Sequence, residues 1–256
     1  MLNRIKRIIR PGAYDKLRKL PRYTEVDTVL FDRRIKIPDA ASFLFTYREI
    51  FQIRIYEFLT DKTDPYVIDG GANIGLASIF FKRLYPQAKV VSFEPDRNIF
   101  KYLQHNTDAF GFDDIELVNK GLWFEEATLT FDSEGADAGR INAESESKNQ
   151  IEVTSLRPYL ERREEVDLLK LDIEGAEHQV INDCKDLLSR VKNIFIEYHS
   201  FTGVDQPLPE ILTTLKASGF RMYIDSPGTK SKRPFLERKE YNGMDNQLNI
   251  FGFRQS

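Results

Sequence analysis

Cysteine is nearly absent from this chain. Its 256 residues include only Cys184, so no internal disulfide is available and a reducing compartment is expected. No nucleophile signature surrounds that cysteine, which reads as a core residue. Long apolar runs are missing as well. No stretch suits a bilayer span and none resembles the centre of a signal peptide, which makes a soluble, cytoplasmic protein the expectation. Charge of one sign is also scarce: the net is −3, which offers no general attraction for nucleic acid. No internal repeat stands out.

There is enough apolar material, 41% of residues, to bury a substantial core. The expected organisation is a basic N-terminal extension, residues 1–46, followed by a main domain, residues 47–256. Residues 1–22 carry Arg4, Lys6, Arg7, Arg10, Lys16, Arg18, Lys19 and Arg22 against Asp15 alone. Leu2, Ile5, Ile8 and Ile9 share a helical face that Pro11-Gly12 ends. The preferred reading is a basic arm packed on its own domain or on a partner subunit. The other is a peripheral contact with an anionic membrane.

The central stretch is Tyr66-Val67-Ile68-Asp69-Gly70-Gly71-Ala72-Asn73-Ile74-Gly75, followed by an apolar, helix-like Leu76–Leu84. It predicts a buried strand, a tight turn and a helix start, the place where doubly wound α/β proteins hold nucleotide-like cofactors. Glycines let main chain approach a ligand, and the helix N-terminus points free N–H groups at it. A dinucleotide fingerprint would be G-x-G-x-x-G. Counted from Gly70 its middle glycine is Ala72, and counted from Gly71 it is Asn73 with Leu76 last. Asp69, directly before the turn, would repel phosphate. A cofactor with an ammonium group and no phosphate, such as S-adenosylmethionine, suits that acid better, and the turn resembles the class I methyltransferase glycine motif.

A second strand, Lys89-Val90-Val91-Ser92-Phe93-Glu94-Pro95-Asp96, ends in an acid 25 residues beyond Asp69, where a carboxylate can hydrogen-bond a ribose diol. Asp96 is an N-cap candidate for a helix reaching Phe110. Ile115–Leu122 reads as a third strand, and Asn119 at its end is placed either to bond an adenine or to shape the turn. Ala127–Phe131 adds a strand, and the polar stretch 133–150 reads as a lid or a disordered loop. Strand Ile151–Leu156 and helix Arg157–Arg163 follow.

In Val166-Asp167-Leu168-Leu169-Lys170-Leu171-Asp172-Ile173-Glu174-Gly175-Ala176-Glu177, a buried strand ends in Asp172, where open α/β sheets place ligands. Glu177 there reads as a helix-dipole partner. Strand Asn193–His199 puts Glu197 and His199 on one face and Tyr198 on the other. A helix Pro209–Ser218, a strand Arg221–Asp225, a charged loop 226–246 and a closing strand Gln247–Phe253 complete the chain. Near the start, residues 26–38 read as an antiparallel pair, and Tyr47–Leu59 as a helix lying over the turn, with Tyr47 and Glu49 in reach of a cofactor.

With these motifs in place, above all Leu169-Lys170-Leu171-Asp172-Ile173-Glu174-Gly175-Ala176-Glu177, the chain resembles the FkbM-type methyltransferases over about residues 47–253. The resemblance implies a class I, Rossmann-like α/β fold with a seven-stranded, mostly parallel sheet in order 3-2-1-4-5-7-6. It also implies S-adenosylmethionine as donor and O-methylation of a sugar, glycan or natural product. It places Asp69, Gly70, Gly71, Asn73 and Gly75 at the methionine end, Glu94 with Pro95 at the ribose, and Asp172 at the transfer site.

Methyl transfer needs an aligned acceptor oxygen and a base for its proton. Asp172, Glu174, Glu197 and His199 end adjacent strands, and His199 is the first choice for base because the usual histidine pKa lies nearest neutrality. Asp172 would orient the acceptor or His199. A divalent metal held by the same carboxylates and histidine ranks below a metal-free route. His105 and His178 read as structural. Two other functions stand beside this one: an NAD-dependent oxidoreductase, disfavoured by the broken fingerprint, and a non-catalytic scaffold of the same fold. Nucleic acid is not an expected acceptor, since no Asn/Asp-Pro-Pro-Tyr-like motif is present.

Overall fold

A computed structural model describes residues 9, 12–133, 139–141, 150–227, 231–237 and 239–254, with backbone alone at 131–133 and 139–141. In chain order the elements begin with α1 (Ala13–Leu17), the hairpin β1 (Val26–Leu30) and β2 (Arg33–Ile37), and α2 (Ala40–Tyr47). Then come β3 (Tyr66–Gly70), α3 (Leu76–Leu84), β4 (Lys89–Phe93), α4 (Arg97–Ala109) and β5 (Glu116–Val118). The middle holds β6 (Gly121–Trp123), β7 (Ala127–Ser133), β8 (Gly139–Ile141), β9 (Gln150–Ser155) and α5 (Arg157–Glu161). The last part is β10 (Val166–Leu171), α6 (Glu177–Asp183), β11 (Val191–Phe201), α7 (Leu208–Ala217), β12 (Arg221–Asp225) and β13 (Met244–Phe253).

The main sheet runs β12-β13-β11-β10-β3-β4-β5. Its strands are parallel except β13, which is antiparallel to both neighbours. Renumbered within the sheet, this is the expected 3-2-1-4-5-7-6 order. Alternation along the central strands feeds two cores. Val67, Leu168 and Phe195 face the side covered by the hairpin, α2 and α3. Ile68, Leu169, Ile194 and Ile196 face α5, α6 and α7. Strands β3 and β10 are buried along their whole length, as expected of parallel strands covered on both faces.

Several expected boundaries shift. The helix expected over Tyr47–Leu59 begins earlier, because Asp39 caps it by accepting from Ser42 N at 2.8 Å. It continues as wider π-helical turns through Arg48–Ile53 and stops where Arg54 takes a left-handed φ of 65°. The 46/47 boundary therefore falls inside α2, and the hairpin shares one core with the sheet. The third strand divides: β5 stays in the main sheet, whereas β6 pairs with β9 in a smaller sheet, β6-β9-β7-β8. The stretch 133–150 contains β8, paired with β7, while residues 134–138 and 142–149 lie outside the described residues. Of the N-terminal apolar face only Ile9 is described; it is buried in the main core, and Leu2, Ile5 and Ile8 lie outside. No helix among the described residues is long and apolar enough to cross a membrane.

One buried side chain ties the hairpin to the turn after β3. Asn106 on α4 accepts from Lys36 N at 2.8 Å and donates to Lys36 O at 3.0 Å and Ile74 O at 2.9 Å. The hairpin and α2 are thereby held over the carboxyl ends of β3, β10 and β11.

Candidate active site

At those strand ends lies a pocket of about 480 Å³, floored by Gly71, Asn73, Lys170 and Asp172 and roofed by α2 and the π-helical turns. The turn after β3 is rigidly seated. Gly71 N and Ala72 N both donate to Phe93 O, at 3.1 and 2.8 Å. Lys170, a fully buried lysine, donates to Gly71 O at 2.8 Å and Gly70 O at 3.1 Å. Its ammonium also lies 3.2 Å from Asp69 Oδ1 and 3.5 Å from Asp172 Oδ2. Burial works against the charge on Lys170, but Asp69 and Asp172 outweigh it and raise the pKa.

This seating changes the account of the turn. Asp69 does not face the pocket. It is fully buried, takes a hydrogen bond from Ser78 Oγ at 2.7 Å, and has Lys170 as its counter-ion. The glycines also make room for neighbouring protein. A Cβ on Gly71 would stand 1.8 Å from Asp172 O, one on Gly75 would stand 2.8 Å from Leu103 Cδ1, and one on Gly70 would stand 2.8 Å from Leu122 Cδ1. Gly75 starts α3 with a left-handed φ of 89° and no side-chain cap, and Ile74, Leu76 and Ala77 behind it line the pocket.

Glu94 is buried beneath the turn. Its two oxygens accept from Asn73 N and Asp96 N, both at 2.9 Å, so it braces the glycine turn against the next helix. Burial outweighs these two bonds and pushes its pKa up to about 8. Asn119 takes the turn-shaping alternative: its Nδ2 donates to Glu94 O at 2.8 Å and Pro95 O at 3.2 Å. Glu94, Pro95 and Asn119 thus form one unit, and none of the three lines the pocket.

The opposite wall is a charge cluster. Asp172 follows β10, Glu174 sits in the left-handed turn after it (φ 56°), and Glu197 and His199 end the central part of β11. His199 is buried, with Nε2 3.7 Å from Glu174, 3.8 Å from Glu197 and 4.0 Å from Asp172. Glu174 and Glu197 are each pushed up to about 8, first by burial, with the Asp172 charge adding to it. Glu49 joins them from the roof, pushed up to about 7 by burial and by Asp172. For His199, burial opposes the proton, but Glu174, Glu177 and Glu197 outweigh it and raise the pKa well above 6.5.

Two participants went unassigned in the sequence. Glu177, expected only to meet the helix dipole, is buried and accepts from Gly175 N at 3.1 Å while standing 3.1 Å from His199 Nδ1. Lys170 had a legible signal, a lone lysine inside a buried strand flanked by acids. His178 lies on α6 and His105 on α4, away from the cluster, and Cys184 is a buried free thiol.

A family model described as the methyltransferase FkbM domain matches residues 69–222. "Methyltransferase sdnD" of Sordaria araneosa is 30% identical over 220 residues, covering 71% of this chain and 83% of that one. The "31-O-demethyl-FK506 methyltransferase FkbM" of Streptomyces tacrolimicus is 27% identical over 218 residues, with the same coverage of each. Among solved structures, a methyltransferase FkbM from Methylobacillus flagellatus superposes with a TM-score of 0.50 at 17% identity. The match covers 75% of this chain and 45% of that one.

Proposed function

The chain belongs to the FkbM methyltransferase family, and on that footing we propose that it transfers a methyl group from S-adenosylmethionine to a hydroxyl of a sugar, glycan or natural-product acceptor. The observation carrying this reading is the convergence of Asp172, Glu174, Glu197 and His199 on a pocket floored by the rigid turn after β3. The relative named as a 31-O-demethyl-FK506 methyltransferase supports oxygen as the acceptor atom.

The residues present suit the donor. The uncapped start of α3 offers backbone N–H groups to a carboxylate, and the acid-lined wall suits a sulfonium and an ammonium. Glu94 keeps a spare lone pair on each oxygen for a ribose hydroxyl. When bound, the donor supplies an activated methyl carbon. The acceptor oxygen would take that methyl, and the electron pair of the broken carbon–sulfur bond would stay on sulfur. Among the protein groups, Asp172 takes the acceptor's proton and Glu174 helps to orient the acceptor, while His199, held by Glu177, faces both.

Calorimetry with S-adenosylhomocysteine and NAD tests the donor, and transfer of labelled methyl to a panel of sugars and natural products tests the acceptor. Micromolar binding of S-adenosylhomocysteine without NAD binding is expected. The reverse result would make the protein an oxidoreductase and end this reading.

A further inference from the structure

Asp172, Glu174 and His199 each offer one ligand atom, and the three atoms lie within 4.8 Å of one another. We propose that they form a binding site for a single divalent metal ion on the acceptor side of the pocket. The ion's role in transfer rests on the methyltransferase reading above; its binding does not.

Acidic clusters are common without an ion, so the histidine decides the case. His199 is 6% exposed, and Nε2 points at the carboxylates of Glu174, Glu197 and Asp172 with no hydrogen-bond partner among the described residues. Its other nitrogen is spoken for. Nδ1 meets Glu177 Oε1 at 3.1 Å, and Glu177 is fixed in turn by the backbone N–H groups of Ile173 at 3.3 Å and Gly175 at 3.1 Å. A carboxylate gripping the far side of a ligating imidazole is the usual outer support of a metal site, since it fixes the ring and turns its second nitrogen toward the ion.

The distances are those of a site that an ion would draw together. Around an octahedral ion with bonds of about 2.1 Å, adjacent donors stand about 3.0 Å apart and opposite donors about 4.2 Å. Nε2 lies 3.7 Å from Glu174 Oε2 and 4.0 Å from Asp172 Oδ1, and since only one donor can stand opposite it, at least one carboxylate moves in toward the adjacent spacing when an ion binds. Neither carboxylate makes a hydrogen bond among the described residues; Asp172 keeps only its ion pairs with Lys170 and His199. Glu197 is the less free neighbour, because Gln247 Nε2 donates to its Oε1. Two carboxylates and one imidazole suit Mn²⁺ or Mg²⁺, and three protein donors leave open positions facing the pocket. An acceptor hydroxyl bound there would lose its proton more readily.

Mn²⁺ titrated into the full chain, with its free-ion resonance followed by electron paramagnetic resonance, tests this. One ion per chain is expected, displaced by Mg²⁺. Asp172→Asn and His199→Ala should weaken it by more than about tenfold, and Glu177→Gln by about tenfold. Binding of S-adenosylhomocysteine by the same His199→Ala protein, expected within about twofold of wild type, certifies its fold and reports the donor site separately. A free-ion signal undiminished at millimolar Mn²⁺, in protein that binds S-adenosylhomocysteine, would overturn the proposal and leave the donor reading intact. So would Mn²⁺ binding that survives both ligand substitutions, since the ion would then sit elsewhere. Mn²⁺ binding through these residues in protein that rejects S-adenosylhomocysteine would uphold the ion site and sink the donor reading.

Discussion

Glu177 Oε1 lies 3.1 Å from His199 Nδ1, joining the first turn of α6 to the end of β11. A buried carboxylate so placed fixes which way the imidazole faces, whatever Nε2 binds. Glu177→Gln keeps the size of the side chain but removes its charge. It is expected to lower kcat by about 10–100-fold, in line with the loss of an outer support. His199→Ala should lower turnover further. Both should leave the Kd for S-adenosylhomocysteine nearly unchanged, because neither residue touches the turn after β3. Steady-state kinetics beside calorimetry checks this, and a near-wild-type rate in both variants would remove the pair from the reaction.

Lys170 is the only cation paired with Asp69 among the described residues, 3.2 Å away, and both are buried. Removing one partner of such a pair strands the other charge. Lys170→Met is therefore expected to cost about 3–5 kcal/mol of stability, more than most single changes. The double variant with Asp69→Asn should recover part of that loss. Urea unfolding of the three variants gives the coupling directly, and additive losses would show that the pair does not act as one.

Much of this was legible in the chain. Strand, turn and helix around Tyr66–Leu84 carry period, glycines and an apolar helix face in one short window, and they fold as read. The sheet order followed from the family resemblance, and Asp96 caps α4 as its side chain suggests. What escaped was whatever depends on contacts distant in sequence. The burial of Asp69 behind Lys170 is set by pairing 100 residues apart, and Glu177 shows its bond to His199 only once β11 lies beside β10. The early start of α2 was readable from Asp39 and Ser42, but the aromatic spacing further on drew the helix downstream.

Glu94 makes stability depend on pH in an unusual direction. Its pKa rises from 4.5 to about 8 on folding, chiefly through burial. Between those two values the native chain holds a proton that the unfolded chain has released. Stability should therefore fall as pH rises through that window, by up to about 1.4 kcal/mol per unit. Other groups titrate there as well, so the test is a difference. Melting curves at several pH values should show wild type losing stability across the window relative to Glu94→Gln. Parallel profiles would mean that Glu94 does not hold its proton in the fold.

Gly71 and Gly111 share a left-handed backbone, with φ of 75° and 72°, but not their surroundings. A methyl group on Gly111 would meet nothing within 4 Å, whereas one on Gly71 would stand 1.8 Å from Asp172 O. Gly111→Ala isolates the conformational penalty, about 1 kcal/mol. Gly71→Ala adds a collision with main chain, which no side-chain rotation relieves. The turn after β3 must then part from the end of β10, carrying Gly71 away from Asp172 and breaking the hold of Lys170 on both. The expected result is a loss of stability exceeding the control by more than about 2 kcal/mol, with S-adenosylhomocysteine binding lost in whatever protein still folds. Equal melting temperatures for the two variants would show that the turn and β10 are not pressed together as described, and the floor of the pocket would have to be redrawn.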